Sequence, residues 1–232
     1  MTGLVDGDIV CFRNAVSCEK RDKIGGIISL EPVDVAIMRV DVMMRDILSM
    51  EDSHLTFLGG ENNFRYKVNP EYKANRKDKP KPIHLEACQQ YLKDEFGAIV
   101  TDGYEADDAL GINQTEETVI YTIDKDLLQI PGHHFNFITR VYKEVSVLDG
   151  LKSIYKQALV GDTSDNIVGV NKIGPIKASK YLDTLTTEKE LYDTVLSLYD
   201  SKDRLIKNLT CLWIMRKEHE TYIDREWVKD NV

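Results

Sequence analysis

A chain of 232 residues, 42% of them hydrophobic and 30% charged, has the make-up of a globular protein large enough to bury a full core. Its four cysteines lack any C-x-x-C spacing and its histidines lack a zinc-type pattern, so reduced thiols are expected and a disulfide framework is not. No run approaches a membrane span, and a net charge of −9 argues against nucleic acid as a partner unless the negative charge is gathered in one place.

The amino terminus, MTGLVDGDIVCF, has no cationic start and reads as a strand rather than a signal peptide. Leu4 to Phe12 forms this predicted strand, interrupted by Asp6-Gly7, with the Asp6 carboxylate emerging at the turn. Residues 14–32 contain Gly25-Gly26 and read as a loop or hairpin. From Pro32 the apolar residues Val35, Ile37, Met38, Val42, Met43, Ile47 and Leu48 follow helical spacing, with the methionines read as core packing, and His54 to Leu58 is the next strand.

Phe64 to Pro82, FRYKVNPEYKANRKDKPKP, is strongly basic. Arg65, Lys67, Lys73, Arg76, Lys77, Lys79 and Lys81 face only Glu71 and Asp78, and Phe64, Tyr66 and Tyr72 are interleaved. Cations and aromatics on a proline-punctuated segment suit the gripping of a threaded strand, although a solvated loop would look similar. A helix over His84 to Phe96 and a strand over Ala98 to Thr101 follow.

The chain then reaches GYEADDALGINQTEETVIYTIDKDLLQI, Gly103 to Ile130. Glu105, Asp107 and Asp108 stand at the start of a short helix over 106–112, and Asp124 and Asp126 follow a β-branched strand over Thr118 to Ile123. Ligands of open α/β sheets bind at the carboxyl ends of strands. Helix starts and turns use one or two acidic residues for structural ends, but not five. Crowded like charges call for cations, so an oxygen-ligand site for Mg²⁺ or Mn²⁺ is the simplest reading. With these five and the carboxylates of Asp6, Asp162 and Asp165 set aside, eight in all, the rest of the chain carries a net charge of −1.

Phe135 to Val141 reads as a last strand, and from Val147 helical spacing takes over. Alternating helices and strands up to a boundary near residue 146 imply an α/β domain with a mostly parallel sheet and helices on both faces. The following domain, 147–232, is helical and opens with Leu148 to Leu159 and GDTSDNIVGVNKIGPIKASKYL. Asp162 and Asp165, three apart, can aim their carboxylates the same way. The glycine-bounded hairpin Gly169 to Gly174 leads into a helix starting at Pro175, where free backbone N–H groups form a phosphate site; an ordinary tight turn is the alternative. Glu188 to Val232 supplies two or three packing helices, with Trp213 and Trp227 in the core or at a domain contact.

VDGDIVCFR, NFR, YKANR, YEADD, TIDKDLLQI and GDTSDNIVGVNKIGPIKA occur in this order between residues 4 and 182. In them the chain resembles the 5′-nuclease family, the flap endonucleases and the 5′-3′ exonucleases that stand alone in phages or are fused to bacterial DNA polymerase I. The compact form resembles the phage-encoded members most. The resemblance implies a PIN-like α/β core and a helix-three-turn-helix element at 161–182. It also implies a cytoplasmic monomer of DNA replication or repair, acting on DNA with a 5′ end or flap at a duplex junction.

Carried over residue by residue, the resemblance places one Mg²⁺ at Asp6, Glu105, Asp107 and Asp108 and another at Asp124, Asp126, Asp162 and Asp165, with Mn²⁺ able to substitute. Lys73 and Arg76 grip the scissile phosphate, and Asp107 and Asp124 are the carboxylates on which hydrolysis depends. Arg65, Lys67, Tyr72 and Lys77 line the strand path. Gly169, Val170, Lys172, Ile173 and Gly174, with Lys177 and Lys180, hold the duplex backbone, aided by K⁺ on backbone carbonyls.

The chain departs from the family pattern twice. Leu58-Gly59-Gly60-Glu61 lacks the usual aspartate at the end of the strand before NFR, leaving Glu61 as a substitute, and in the hairpin Lys172 replaces a common glycine while Ile176 stands where lysine is frequent. Two other functions remain open: a metal-dependent ribonuclease acting on RNA or RNA–DNA hybrids, and a non-catalytic, structure-selective DNA-binding protein.

Overall fold

The structure, a computed structural model, describes residues 1–77 and 79–232; Asp78 of the basic segment lies outside the described residues. The first strand, Thr2–Asp6 (β1), ends earlier than the sequence suggests, and Gly7–Ser17 is a helix (α1). Asp6 decides this by capping the helix, its carboxylate accepting the Ile9 N–H at 3.1 Å. Gly7 lets the new helix pass close to the next strand, since a Cβ there would stand 2.6 Å from the Phe57 carbonyl oxygen. The β-branched run Ile9-Val10 therefore belongs to a helix whose Val10, Cys11 and Ala15 are buried.

A hairpin of Glu19–Arg21 (β2) and Ile27–Leu30 (β3) precedes the helix Val33–Leu48 (α2). Ala36, Val40, Met44 and Ile47 form the buried face of α2, whereas Met38 and Val42 are exposed, so the face is rotated from the predicted one. Next come Ser53–Glu61 (β4), Arg65–Val68 (α3), Leu85–Phe96 (α4), Ile99–Asp102 (β5), Ala106–Asn113 (α5) and Thr118–Tyr121 (β6). The single strand expected over Phe135 to Val141 is two, Gly132–Asn136 (β7) and Val141–Val145 (β8), joined by a turn in which Arg140 takes φ 60°.

The six-stranded sheet has the order β5-β4-β1-β6-β7-β8, parallel except for the β7–β8 pair. Neighbouring residues of β1 face opposite ways. Val5 packs with Val10, Met44, Leu58 and Leu92 under α1, α2 and α4, while Leu4 packs with Phe57, Leu110 and Ile120 under α5. Helices thus cover both faces, as the alternating pattern predicts.

Beyond Val145 come Val147–Val160 (α6), the short pair Gly161–Asp162 (β9) and Ile167–Val168 (β10), Pro175–Leu182 (α7), Glu188–Leu198 (α8), Lys202–Leu212 (α9) and Glu226–Asn231 (α10). Ile154, Tyr155, Leu191, Leu205 and Trp213 share a core with Tyr72 of the basic segment. Trp227 lies at its edge against Tyr192. Gln129, in the turn after β6, fastens the segment after α9, donating to the Leu212 carbonyl and accepting from Ile214 N–H, both at 2.9 Å. No helix among the described residues is long and apolar enough to cross a membrane.

Candidate active site

Parallel strands deliver the acidic side chains to one edge. Asp6 ends β1, Glu105 caps α5 just after β5, and Asp124 and Asp126 follow β6, all at carboxyl ends of strands within the run β5-β4-β1-β6. Thr122, which the sequence reading overlooked, orients this edge: its hydroxyl donates to Asp6 Oδ2 at 2.7 Å and accepts from Asp124 N–H at 3.0 Å. Asp162 ends β9 and Asp165 lies in the loop that leads to β10, where Asp162 Oδ1 accepts from the Ser164 N–H and hydroxyl, both at 2.7 Å. A cleft of about 820 Å³ runs between Asp124, Asp126, Asp162, Lys156 and the first turn of α7.

The basic segment is docked on that loop instead of standing free as a threading arm. Lys73 N–H donates to the Asp165 carbonyl at 3.0 Å, Asn75 to the Thr163 carbonyl at 2.6 Å, and Arg76 Nε to the Ser164 carbonyl at 2.8 Å. Lys73 adopts φ 54° to do so, a left-handed conformation uncommon away from glycine. Its ammonium meets Glu105 Oε1 and lies 3.8 Å from Asp165 Oδ1, and Arg76 pairs with Asp165 at 2.6 Å. Burial works against the Lys73 charge, but the two carboxylates outweigh it and raise the pKa. Tyr72, expected on the strand path, is 1% exposed, and its hydroxyl lies 2.7 Å from Asp165 and 3.1 Å from Glu105. It positions carboxylates; it does not stack on a base. Lys67 and Lys77 are exposed.

Two predicted site residues have another role. Asp108 is fully buried and Arg65 2% exposed, and they form a two-pronged ion pair at 2.6 and 2.8 Å. The other acceptor positions of Asp108 are taken by Glu105 N–H and Met215 N–H, both at 2.9 Å. A carboxylate offers about four such positions, so Asp108 has none left for an ion. Arg65 also donates to the Cys211 and Trp213 carbonyls at 2.8 and 2.6 Å. The pair ties α5 to the segment after α9; Asp108 is not a metal ligand and Arg65 is not a DNA contact.

Burial and mutual repulsion leave the remaining carboxylates short of positive charge. Burial, with the charges of Asp8 and Asp124, pushes Asp6 up to about 7 despite hydrogen bonds from Thr122 and Ile9. Burial, with Asp124, Asp162 and Asp165, does the same to Asp126, also up to about 7. Asp107 is raised well above the carboxylate range by burial and by Asp6, Glu105 and Asp124. At Asp162 burial is outweighed by hydrogen bonds from Ser164 and Asp165, which hold it below its ordinary value. A divalent ion supplies the charge these oxygen donors lack, so the donor set fits one. No three acidic, His or Cys side chains among the described residues form a group that could hold a metal ion by themselves.

A consequence can be measured without substrate. Asp6 and Asp126 hold protons in the folded metal-free protein up to about pH 7 but release them near their ordinary value of 3.8 when unfolded. The folded state then binds more protons, so stability in EDTA is expected to fall as pH rises through this window, and added Mg²⁺ to raise Tm more at about pH 8 than at about pH 5. Thermal unfolding across pH, with and without Mg²⁺, checks this; a Tm in EDTA that climbs steadily with pH contradicts it.

In the hairpin after Asp165, Lys172, Gly174, Lys177 and Lys180 are exposed, whereas Gly169 and Ile173 are buried and offer no side chain to a partner. Lys172, at the place of a common glycine, takes φ 62° and so makes the glycine turn with a lysine. Arg204 donates to the Val168 and Gly169 carbonyls and Asn208 to that of Val168, so these oxygens are already engaged.

Residues 2–160 match the family model described as "5′-3′ exonuclease, N-terminal resolvase-like domain". The chain belongs to this 5′-3′ exonuclease family. It is 33% identical over 153 residues to DNA polymerase I of Caldicellulosiruptor bescii, a match covering 54% of this chain but 18% of that protein. With the 5′-3′ exonuclease of Buchnera aphidicola subsp. Schizaphis graminum it shares 25% over 228 residues, covering 88% and 77%. The bacteriophage T5 5′-exonuclease with bound zinc ions has the same fold, at TM-score 0.60 and 20% identity over 91% of this chain and 89% of that one. A T5 flap endonuclease in a pseudo-enzyme–product complex with DNA and metal ions gives TM-score 0.54 and 19% identity, covering 91% and 93%. The sheet and its flanking helices are thus a 5′-nuclease fold.

The end of β4, Gly59-Gly60-Glu61, offers a single carboxylate, that of Glu61. Glu61 pairs in register with Asp102, is exposed, and makes no hydrogen bond or ion pair from its side chain among the described residues. The residue facing Gly59 is Asp8, in the first turn of α1, which accepts the Gly59 N–H at 2.8 Å. Sequence reading missed it, although Asp6-Gly7-Asp8 puts it only two residues from a predicted site carboxylate.

Proposed function

We propose that the protein is a metal-dependent 5′-3′ exonuclease and flap endonuclease that hydrolyses DNA phosphodiesters and leaves 5′-phosphate ends. The observation that carries this reading is the docking of Lys73 and Arg76, on residues 71–76, against the loop 163–166, which sets two cations directly beside the carboxylates of Glu105 and Asp165. Asp6, Glu105 and Asp107 would hold one Mg²⁺ and Asp124, Asp126, Asp162 and Asp165 a second, with Mn²⁺ able to replace them. Ions held there would supply the positive charge that acidifies a water and offsets the charge of the attacked phosphate.

The chain's own groups do the rest. Tyr72 and Asn63, at 3.1 and 2.9 Å, fix Glu105, and Thr122 fixes Asp6. Lys73 and Arg76 would offer their charge to the scissile phosphate; an ammonium can stabilise that charge but cannot ligate a metal ion. Residues 1–146 form the nuclease domain and 147–232 a helical DNA-binding domain. Its hairpin, 161–182, acts as a helix-three-turn-helix element that grips duplex phosphates through the start of α7, Lys172, Lys177 and Lys180. A K⁺ at this hairpin would rest on carbonyls other than that of Val168, whose two acceptor positions are taken by Arg204 and Asn208. The substrate is DNA with a 5′ end or flap at a junction, met by a monomer in replication or repair.

The test compares a 5′-end-labelled flap built in DNA with the same flap built in RNA, each in Mg²⁺. Faster release of short labelled products from DNA is expected; preferential cutting of RNA would move the protein to the ribonucleases.

A further inference from the structure

At the end of β4 the structure shows more than a missing side chain. An ideal Cβ built on Gly59 would lie 2.8 Å from Asp8 Oδ2 and 3.9 Å from the Ala106 N–H, the residue between Glu105 and Asp107. The volume that a side chain at position 59 would fill is therefore occupied by the Asp8 carboxylate, about as far from that Cβ as an aspartate's own oxygens would be. Asp8 reaches it from the opposite element, α1, and is held by Gly59 N–H at 2.8 Å and at long range by Gln89 Nε2 at 3.5 Å. Glycine at 59 is what admits it, because any Cβ there would press on the oxygen.

We propose that Asp8 is a further metal-site carboxylate, replacing from α1 the aspartate that β4 lacks. The inference rests on the metal-dependent reading above. Only two of its acceptor positions are taken by protein donors, in contrast to the saturated Asp108, so oxygen lone pairs remain for an ion or its waters. The ordinary alternative is a structural one, an acidic residue favoured by the α1 dipole and bonded to a backbone N–H.

Asp8→Asn separates the two, because the amide oxygen can still accept from Gly59 while the charge is gone. Mn²⁺ affinity of the purified protein, by electron paramagnetic resonance, is expected to fall about tenfold or more, with flap cleavage falling in parallel and Tm in EDTA unchanged or higher. The paired variant Asp8→Ser with Gly59→Asp returns the carboxylate to β4 and is expected to recover Mn²⁺ binding. Unchanged Mn²⁺ affinity in Asp8→Asn, or no recovery in the paired variant with its Tm intact, overturns the proposal. Failure of the nuclease reading is distinguishable: the wild-type protein would then bind Mn²⁺ in an Asp8-dependent manner without cutting a flap.

Discussion

Arg65→Ala is expected to lower folding stability by about 3–5 kcal/mol, the range for breaking a buried ion pair from one side. The guanidinium is 2% exposed and makes four hydrogen bonds, two to Asp108 and one each to the Cys211 and Trp213 carbonyls. Alanine would leave a fully buried carboxylate without its counter-charge and two carbonyls without donors. Lysine cannot restore the paired geometry, so Arg65→Lys should recover only a minor part. For a chain of this length the loss corresponds to a Tm lower by about 10 °C. Urea or thermal unfolding measures it. A variant of wild-type stability with weakened DNA binding would instead return Arg65 to the nucleic-acid surface.

Asp124→Asn and Asp107→Asn are expected to lower the single-turnover cleavage rate by about a thousandfold or more, since losing metal-borne charge stabilisation costs several kcal/mol in the transition state. DNA binding should persist, because the exposed Lys172, Lys177 and Lys180 are untouched and a negative charge has been removed from the surface they share. The same substitutions should leave metal-free stability unchanged or raise it: Asp107 is held well above the carboxylate range by burial and by Asp6, Glu105 and Asp124. Activity lost while stability is gained is the signature of a site kept for function. Retained cleavage by either variant would remove that residue from the mechanism.

Much of this arrangement was legible in the residues, and the failures have physical causes. Asp124 and Asp126 stood out because a β-branched strand ended directly before them, and Asp162 and Asp165 because a glycine hairpin followed. Asp108 was misassigned because YEADD was read as a block. On a helix, neighbours point about 100° apart, so Asp107 and Asp108 cannot both face the site, and the inward one needed a partner that only tertiary structure supplies. Arg65 lies 43 residues earlier in the chain and looked like one cation among seven. Asp8 was hidden by the β-branched residues after it, which suggested a continuing strand where the Asp6 cap starts a helix. The turn splitting β7 from β8 has no glycine or proline to mark it, Arg140 taking the left-handed conformation instead.

The most direct test of the account is to bind the protein to a 5′-end-labelled DNA flap in EDTA and then add excess Mg²⁺. Short labelled fragments that form only after the addition, with a 5′-phosphate on the remaining strand and none from Asp124→Asn, are the predicted result. A flap that stays bound and uncut in both Mg²⁺ and Mn²⁺ would contradict it and make the protein a structure-selective DNA binder.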